Sequence, residues 1–298
     1  MNEDKVIEIA HKHAIHVKED SLTFNQSGLD FLVVFAEDAE GERWVLRLPR
    51  REDVLPSADK EKRTLDLIVP RIAVEVPQWR VYTDELIAYK QLTGVPAGTI
   101  DHEAMAYVWE IDEKNVPSEF TKTLAEAMVS LHRIQSKAVE TANLPVENAE
   151  EARKNMMKRM ENVRAEFDVN EKLWKRWQDW VNNDTLWPAE TCLVHGDLHA
   201  GHILIHSSAR VTGIIDWTEA SVTDPANDFV PHLRTFGEQA LRDLILQYEQ
   251  AGGYVWPNME KHIIELTAAY PIGIAEFAQK SGLEEYKQMA KQVLGGNQ

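Results

Sequence analysis

Three short apolar runs interrupt an otherwise helical stretch of this chain: Leu193-Val194, Ile203-Leu204-Ile205 and Val211–Ile215. They restrict the fold more than any other feature. Between the first two lies His195-Gly196-Asp197-Leu198-His199-Ala200-Gly201-His202, and the third leads into Asp216-Trp217. Ser207-Ser208 can turn the second and third runs into a hairpin. Asp197 then precedes the hairpin, His202 opens it, and Asp216 follows its second strand. All three can converge at one end, and strand ends facing a cleft commonly present catalytic groups.

The first third of the chain reads as strand-rich. Residues 3–13 suit a short helix. Leu22 to Phe35 reads as strand, turn, strand, with Asn25-Gln26-Ser27-Gly28 at the turn. Trp44–Leu48 reads as a third strand, stopped by Pro49. A helix is expected from about Ser57 to Val69, with Ala58, Glu61, Leu65 and Ile68 on one face. Glu61 is an acid on an otherwise apolar face. Strands follow around Trp79–Thr83 and Glu85–Leu92. The breakers Gly94-Val95-Pro96-Ala97-Gly98 suggest a boundary. A first lobe of residues 1–93, a connection at about 89–98 and a second lobe of 94–298 are therefore expected. In the second lobe Leu124, Met128, Leu131 and Gln135 define a helical stripe. Residues 148–167 and 170–182 suit further helices, and helices resume from Asp228, broken near Gly252-Gly253 and Pro271.

Composition excludes several classes. At 298 residues, with 44% hydrophobic and 27% charged residues, the chain is an ordinary globular one. No run approaches a membrane span. The start, MNEDKVIEIAHKH, lacks the apolar core of a signal peptide. One cysteine, Cys192, suits a reducing cytoplasm. A net charge of −17 repels bulk nucleic acid and anionic membrane, so neither is expected as a partner.

Phosphoryl transfer gives the Asp197, His202, Asp216 pattern a reason. That reaction needs a carboxylate to orient a hydroxyl, ligands for a divalent cation, and dipoles around phosphates. The segments H-G-D-L-H-A-G-H, I-D-W-T-E-A at 215–220 and D-P-A-N-D-F at 224–229 resemble the aminoglycoside phosphotransferase superfamily of antibiotic kinases. His202, where the broad family has Asn, and I-D-W-T-E-A resemble its macrolide 2′-phosphotransferase branch. The match spans roughly residues 20–280.

The resemblance implies an α+β, two-lobed, protein-kinase-like fold. A small antiparallel sheet plus one helix forms the first lobe, and a larger helical lobe carries a catalytic hairpin. It implies transfer of the γ-phosphoryl group of GTP or ATP, with Mg²⁺, to the 2′-hydroxyl of a macrolide amino sugar, by a monomer. Asp197 is then the carboxylate acting on the hydroxyl. Asp216 is the principal Mg²⁺ ligand, with His202 at the second ligand position. Imidazole suits softer metals than Mg²⁺. His202 therefore binds the ion weakly, binds through water, or only positions a phosphate. His195 and Asp228 shape and anchor the loop, and His199 reads as a surface residue.

On the nucleotide side, Ser27 and Gly28 lie where a phosphate-covering loop belongs. Arg47 stands at the third-strand position where protein kinases carry Lys, and would pair with Glu61. The Lys90 carbonyl and Leu92 amide are the positions expected to meet the base. Tyr270, Ile274 and Phe277 share one helical face, which reads either as core or as a groove wall for a large macrolactone. Glu276 points off that face. Two rival functions stand beside this one: a kinase of an aminoglycoside or another small alcohol, and an inactive kinase-like binding protein. Intact Asp197 and Asp216 argue against the second.

Overall fold

The computed structural model describes residues 1–26, 28–101 and 106–295. Helix α1 (Glu3–Lys12) is capped by the Asn2 side chain and buries Val6, Ile9 and Ala10. It covers one face of a five-stranded antiparallel sheet made of β1 (Thr23–Asn25), β2 (Phe31–Glu37), β3 (Arg43–Pro49), β4 (Trp79–Tyr82) and β5 (Ile87–Lys90), in the order β1-β2-β3-β5-β4. Alternate side chains in a strand point to opposite faces. Leu32, Val34, Leu46, Leu48, Leu86 and Ala88 thus meet α1, whereas Phe31, Val45, Ile87 and Tyr89 face the other way, toward Val54 and Ala58. Ala58 belongs to α2 (Leu55–Ile68), whose buried face also carries Glu61, Leu65 and Ile68. The helix starts two residues earlier than its sequence suggests, with Pro56 in its first turn, where a missing N–H costs nothing.

The larger part is helical. After β6 (Val95–Pro96) come the hairpin β7 (Gly98–Asp101) and β8 (Ala106–Trp109), then α3 (Ser118–His132), α4 (Ser136–Thr141), α5 (Ala149–Glu166) and α6 (Glu171–Val181). Four short strands follow: β9 (Cys192–Val194), β10 (Ile203–Ile205), β11 (Val211–Ile214) and β12 (Ser221–Thr223). Helices α7 (Val230–Gln250), α8 (Met259–Ala268), α9 (Tyr270–Ser281) and α10 (Glu284–Leu294) complete it. The architecture is α+β, as expected. Trp174, Trp177, Trp180 and Trp217 are buried in one core with Phe120, Phe229 and Tyr248. Two departures concern helices. Gln135 lies outside α3, exposed, because the chain turns after His132 and restarts as α4. Helix α7 is kinked at Gly237, whose φ of 82° lies in the left-handed region.

Strands β10 and β11 form the expected antiparallel hairpin. Its other edge takes β6, which pairs Val95 with Ile205 and Pro96 with Leu204. The segment before β4 is also sewn to the hairpin. The Glu75 amide donates to the Thr212 carbonyl, and the Ile214 amide donates to the Glu75 carbonyl. The Glu75 carboxylate then accepts from the Thr93 amide at 2.7 Å and the Thr93 hydroxyl at 3.0 Å. Gly94 follows with φ +101°, and a Cβ there would lie 2.6 Å from the Ile205 carbonyl, so this crossing requires glycine. No helix among the described residues is long and apolar enough to cross a membrane.

Candidate active site

The loop from His195 to His202 is held from behind. Asp228, almost fully buried, accepts from the His195 and Gly196 amides, both at 2.9 Å. His132 of α3 donates from Nε2 to the same carboxylate at 3.0 Å. Burial works to raise the Asp228 pKa, but the His132 bond, His195 and the amide outweigh it and keep the group ionised. His195 is buried, and burial lowers its pKa, so it is neutral. Its Nε2–H donates to the Ile215 carbonyl and its Nδ1 accepts from the Asp197 amide. The ring therefore ties the Asp197 turn to the strand before Asp216. Gly196 has φ +85°, and a Cβ there would lie 2.9 Å from the Glu219 carbonyl. Gly196→Ala is expected to destabilise the fold by about 1–3 kcal/mol. A urea unfolding midpoint equal to that of the wild type would contradict this.

Asp197, His202 and Asp216 do converge. His202 Nδ1 lies 3.6 Å from Asp197 Oδ2, and His202 Nε2 lies 3.6 Å from Asp216 Oδ2. The tautomer follows from one contact. Nδ1 faces the Asp197 carbonyl at 2.9 Å, so it carries the proton and donates. Nε2 faces Asp216, the arrangement by which a backbone acceptor orients a metal-binding histidine. The Asp216 carboxylate is about half exposed, its Oδ1 accepting from the Thr218 hydroxyl at 2.7 Å. Burial pulls its pKa up, and His202, Thr218 and Arg47 more than reverse that. A ring nitrogen and a carboxylate facing one gap are ligand types that can hold a divalent cation, though a nitrogen donor is not the preference of Mg²⁺. His199 is not the surface residue expected. It is half-buried, with its ring tilted against that of His202, 3.8 Å between centroids.

A cavity of about 500 Å³ opens between the first sheet and the hairpin. Val33, Val45, Tyr89, Leu92, Leu204 and Ile215 form its apolar walls, and Arg47, Glu61 and Asp216 its polar end. Arg47 Nη1 donates to both Glu61 oxygens, at 3.0 and 2.9 Å. The pair is almost fully enclosed. Burial raises the Glu61 carboxyl, and Arg47 and the Trp217 amide oppose it. Gly28 lines the mouth, and its carbonyl accepts from Arg50 Nε at 2.9 Å. Arg50 also reaches Gln26, and Arg51 pairs with Asp30, so two arginines that the sequence reading passed over hold the turn. Ser27 lies outside the described residues. The Lys90 side chain points away from the cavity, to Asp38 at 3.0 Å and over the Trp44 ring, while Leu92 lines it.

Tyr270, Ile274 and Phe277 share one face of α9, and of the three Ile274 is partly buried against the core. Tyr270 and Phe277 are 45% and 44% exposed, and the buried positions are Ile272, Ala275 and Ala278. Arg234 lies 3.5 Å above the Tyr270 ring, and Phe277 packs edge-on against Tyr286. Glu276 does point elsewhere, but it is engaged: it takes Arg159 of α5 bidentately, at 2.7 Å twice. Arg159 in turn lines a second cavity, about 340 Å³, with Met156, Leu266, Glu219 and Gly196. That cavity reaches the catalytic loop at Gly196.

The profile of the phosphotransferase enzyme family (APH) matches residues 21–262. The chain belongs to this family. It is a phosphotransferase with a kinase-like fold. An uncharacterized Bacillus subtilis (strain 168) protein, YcbJ, is 42% identical over 291 residues, 98% of this chain and 95% of its own. The apoenzyme of the macrolide 2′-phosphotransferase MphH from Brachybacterium faecium superposes with a TM-score of 0.93 at 32% identity, covering 99% of this chain and 98% of that one. A type I macrolide 2′-phosphotransferase gives 0.89 at 38%, covering 99% and 97%.

Proposed function

We propose that this phosphotransferase carries the γ-phosphoryl group of GTP or ATP to the 2′-hydroxyl of a macrolide amino sugar. The end-to-end likeness to two macrolide 2′-phosphotransferases carries the reading. In this account the chain divides near residues 89–98, and the nucleotide base lies between the lobes, against Leu92 and the Lys90 carbonyl. Gly28, at the mouth of the cleft, covers the phosphates. Arg47, held by Glu61, grips them in a way that a planar guanidinium manages better than an ammonium. His202 and Asp216 would hold Mg²⁺, which spreads the charge of the phosphate oxygens. Asp197 orients the acceptor hydroxyl and takes its proton. The hydroxyl oxygen bonds to the γ-phosphorus as the bond to the β-phosphate oxygen breaks, and the nucleoside diphosphate leaves.

The acceptor is broad and apolar apart from its amine. The face of Tyr270, Ile274 and Phe277, exposed at its two aromatic rings, suits it, since apolar burial contributes roughly 25 cal/mol per Å². From α7, Arg234 covers the Tyr270 ring of this face at 3.5 Å.

Two experiments test this. Release of GDP from Mg-GTP is expected to rise with erythromycin and not with kanamycin, and the reverse order would overturn the substrate class. The His202 assignment is tested by comparison. His202→Asn supplies an oxygen ligand in place of the ring nitrogen and is expected to stay within about tenfold of the wild type, whereas His202→Ala loses at least about 100-fold. Wild-type turnover in both variants removes His202 from the metal.

A further inference from the structure

The geometry points to Lys60 as a positioning residue that holds the Asp216 turn in its working conformation from α2. The inference rests on the reading of Asp216 as a metal ligand. Asp216 has φ +63°, in the left-handed region that residues other than glycine seldom occupy. Such a conformation persists where surrounding contacts over-determine it, and it gathers at functional sites. Here those contacts form a chain. The Asp216 carboxylate accepts from the Thr218 hydroxyl at 2.7 Å. The Thr218 carbonyl accepts from the Lys60 ammonium at 2.8 Å. Between them, Trp217 is fully buried, its indole N–H on the Ile214 carbonyl at 3.1 Å and its ring against His195.

Lys60 and Glu61 are neighbours on α2, and they act on the two halves of the polar end of the cleft. Glu61 binds Arg47 and receives the Trp217 amide. Lys60 reaches past them to residue 218. One helix thereby sets both the cation that faces the phosphates and the carboxylate that faces the metal. Lys60 is half-buried. Burial lowers its pKa, and the nearby Glu219 carboxylate raises it. A half-buried ammonium bound to a carbonyl is a directed contact, unlike the exposed ion pairs Lys62–Asp66 and Arg63–Asp59 one turn away.

The test uses Lys60→Met, Lys60→Arg and Thr218→Val in the full chain. Thermal stabilisation by GTP is followed against Mg²⁺ concentration, which needs no turnover, and steady-state kinetics with erythromycin are run beside it. Lys60→Met is expected to raise the Mg²⁺ concentration for half-maximal stabilisation several-fold. It lowers kcat about tenfold, as loss of one charge-assisted hydrogen bond allows, with the KM for erythromycin within about twofold. Lys60→Arg restores most of both. A Lys60→Met protein with wild-type Mg²⁺ response overturns the inference, whatever its melting temperature. Should Lys60→Met fail to fold, Thr218→Val breaks the next link in the chain, and an unchanged Mg²⁺ response there overturns it equally. Asp216→Asn in the same titration separates the two readings: a wild-type Mg²⁺ response in that variant sinks the metal assignment itself. If erythromycin is no substrate, the stabilisation arm still decides the role of Lys60.

Discussion

Asp197→Ala is expected to leave a folded protein that binds Mg-GTP and has lost about 10²–10⁴-fold in transfer to the acceptor, the usual contribution of a group acting on a proton in the transition state. The fold survives because the side chain carries little of the structure. Half of it is exposed, and the ring nitrogens of His202 and His199 stand 3.6 and 3.8 Å from it, beyond hydrogen-bond length. What does carry structure at this residue is main chain. The amide donates to His195, and the carbonyl accepts from His202. Alanine keeps both. Calorimetry of GTP binding, run beside single-turnover transfer, checks the split. Near-wild-type turnover would remove Asp197 from the chemistry, and loss of nucleotide binding would move it to the donor side.

The second large effect is expected from Asp216→Asn. Asparagine is the substitution that isolates charge here, because it tolerates the left-handed backbone almost as aspartate does. Its amide oxygen can still accept from the Thr218 hydroxyl. The loss is therefore the negative charge facing His202 and the phosphates. kcat is expected to fall about 10²–10³-fold, as when a preorganised electrostatic partner is removed from a transition state. The KM for erythromycin stays within about twofold. A fall confined to that KM would place Asp216 on the acceptor instead.

Much of this arrangement was legible in the sequence because it rests on local pattern. The hairpin at 203–214 announces itself by two apolar runs around Ser207-Ser208, and the spacing of Asp197, His202 and Asp216 around it is local too. Glu61 stood out as an acid on an apolar helix face, and its buried contact with Arg47 explains why it is there. What stayed hidden depends on long-range contact. Strand β6 has two residues, one a proline, and only its pairing with Ile205 and Leu204 makes it a strand. Glu75 and Lys60 look like solvated charges until the chain brings Thr93 and Thr218 to them. Arg159 and Glu276 are 117 positions apart, so no periodicity could join them. On α9 the spacing fits core and groove equally well, and the exposure of Tyr270 and Phe277 excludes core for those two. The true buried stripe, Ile272, Ala275 and Ala278, is set mainly by small alanines, a weak hydrophobic signal.

The position of the transferred phosphate is the most direct test of the central claim. Erythromycin, Mg-GTP and the enzyme are incubated, and the product is mapped by ³¹P–¹H correlation NMR. The account predicts a single phosphate ester on the 2′-oxygen of the amino sugar, with one GDP released per ester formed. A phosphate on any other hydroxyl, or none on erythromycin while kanamycin is phosphorylated, would contradict it.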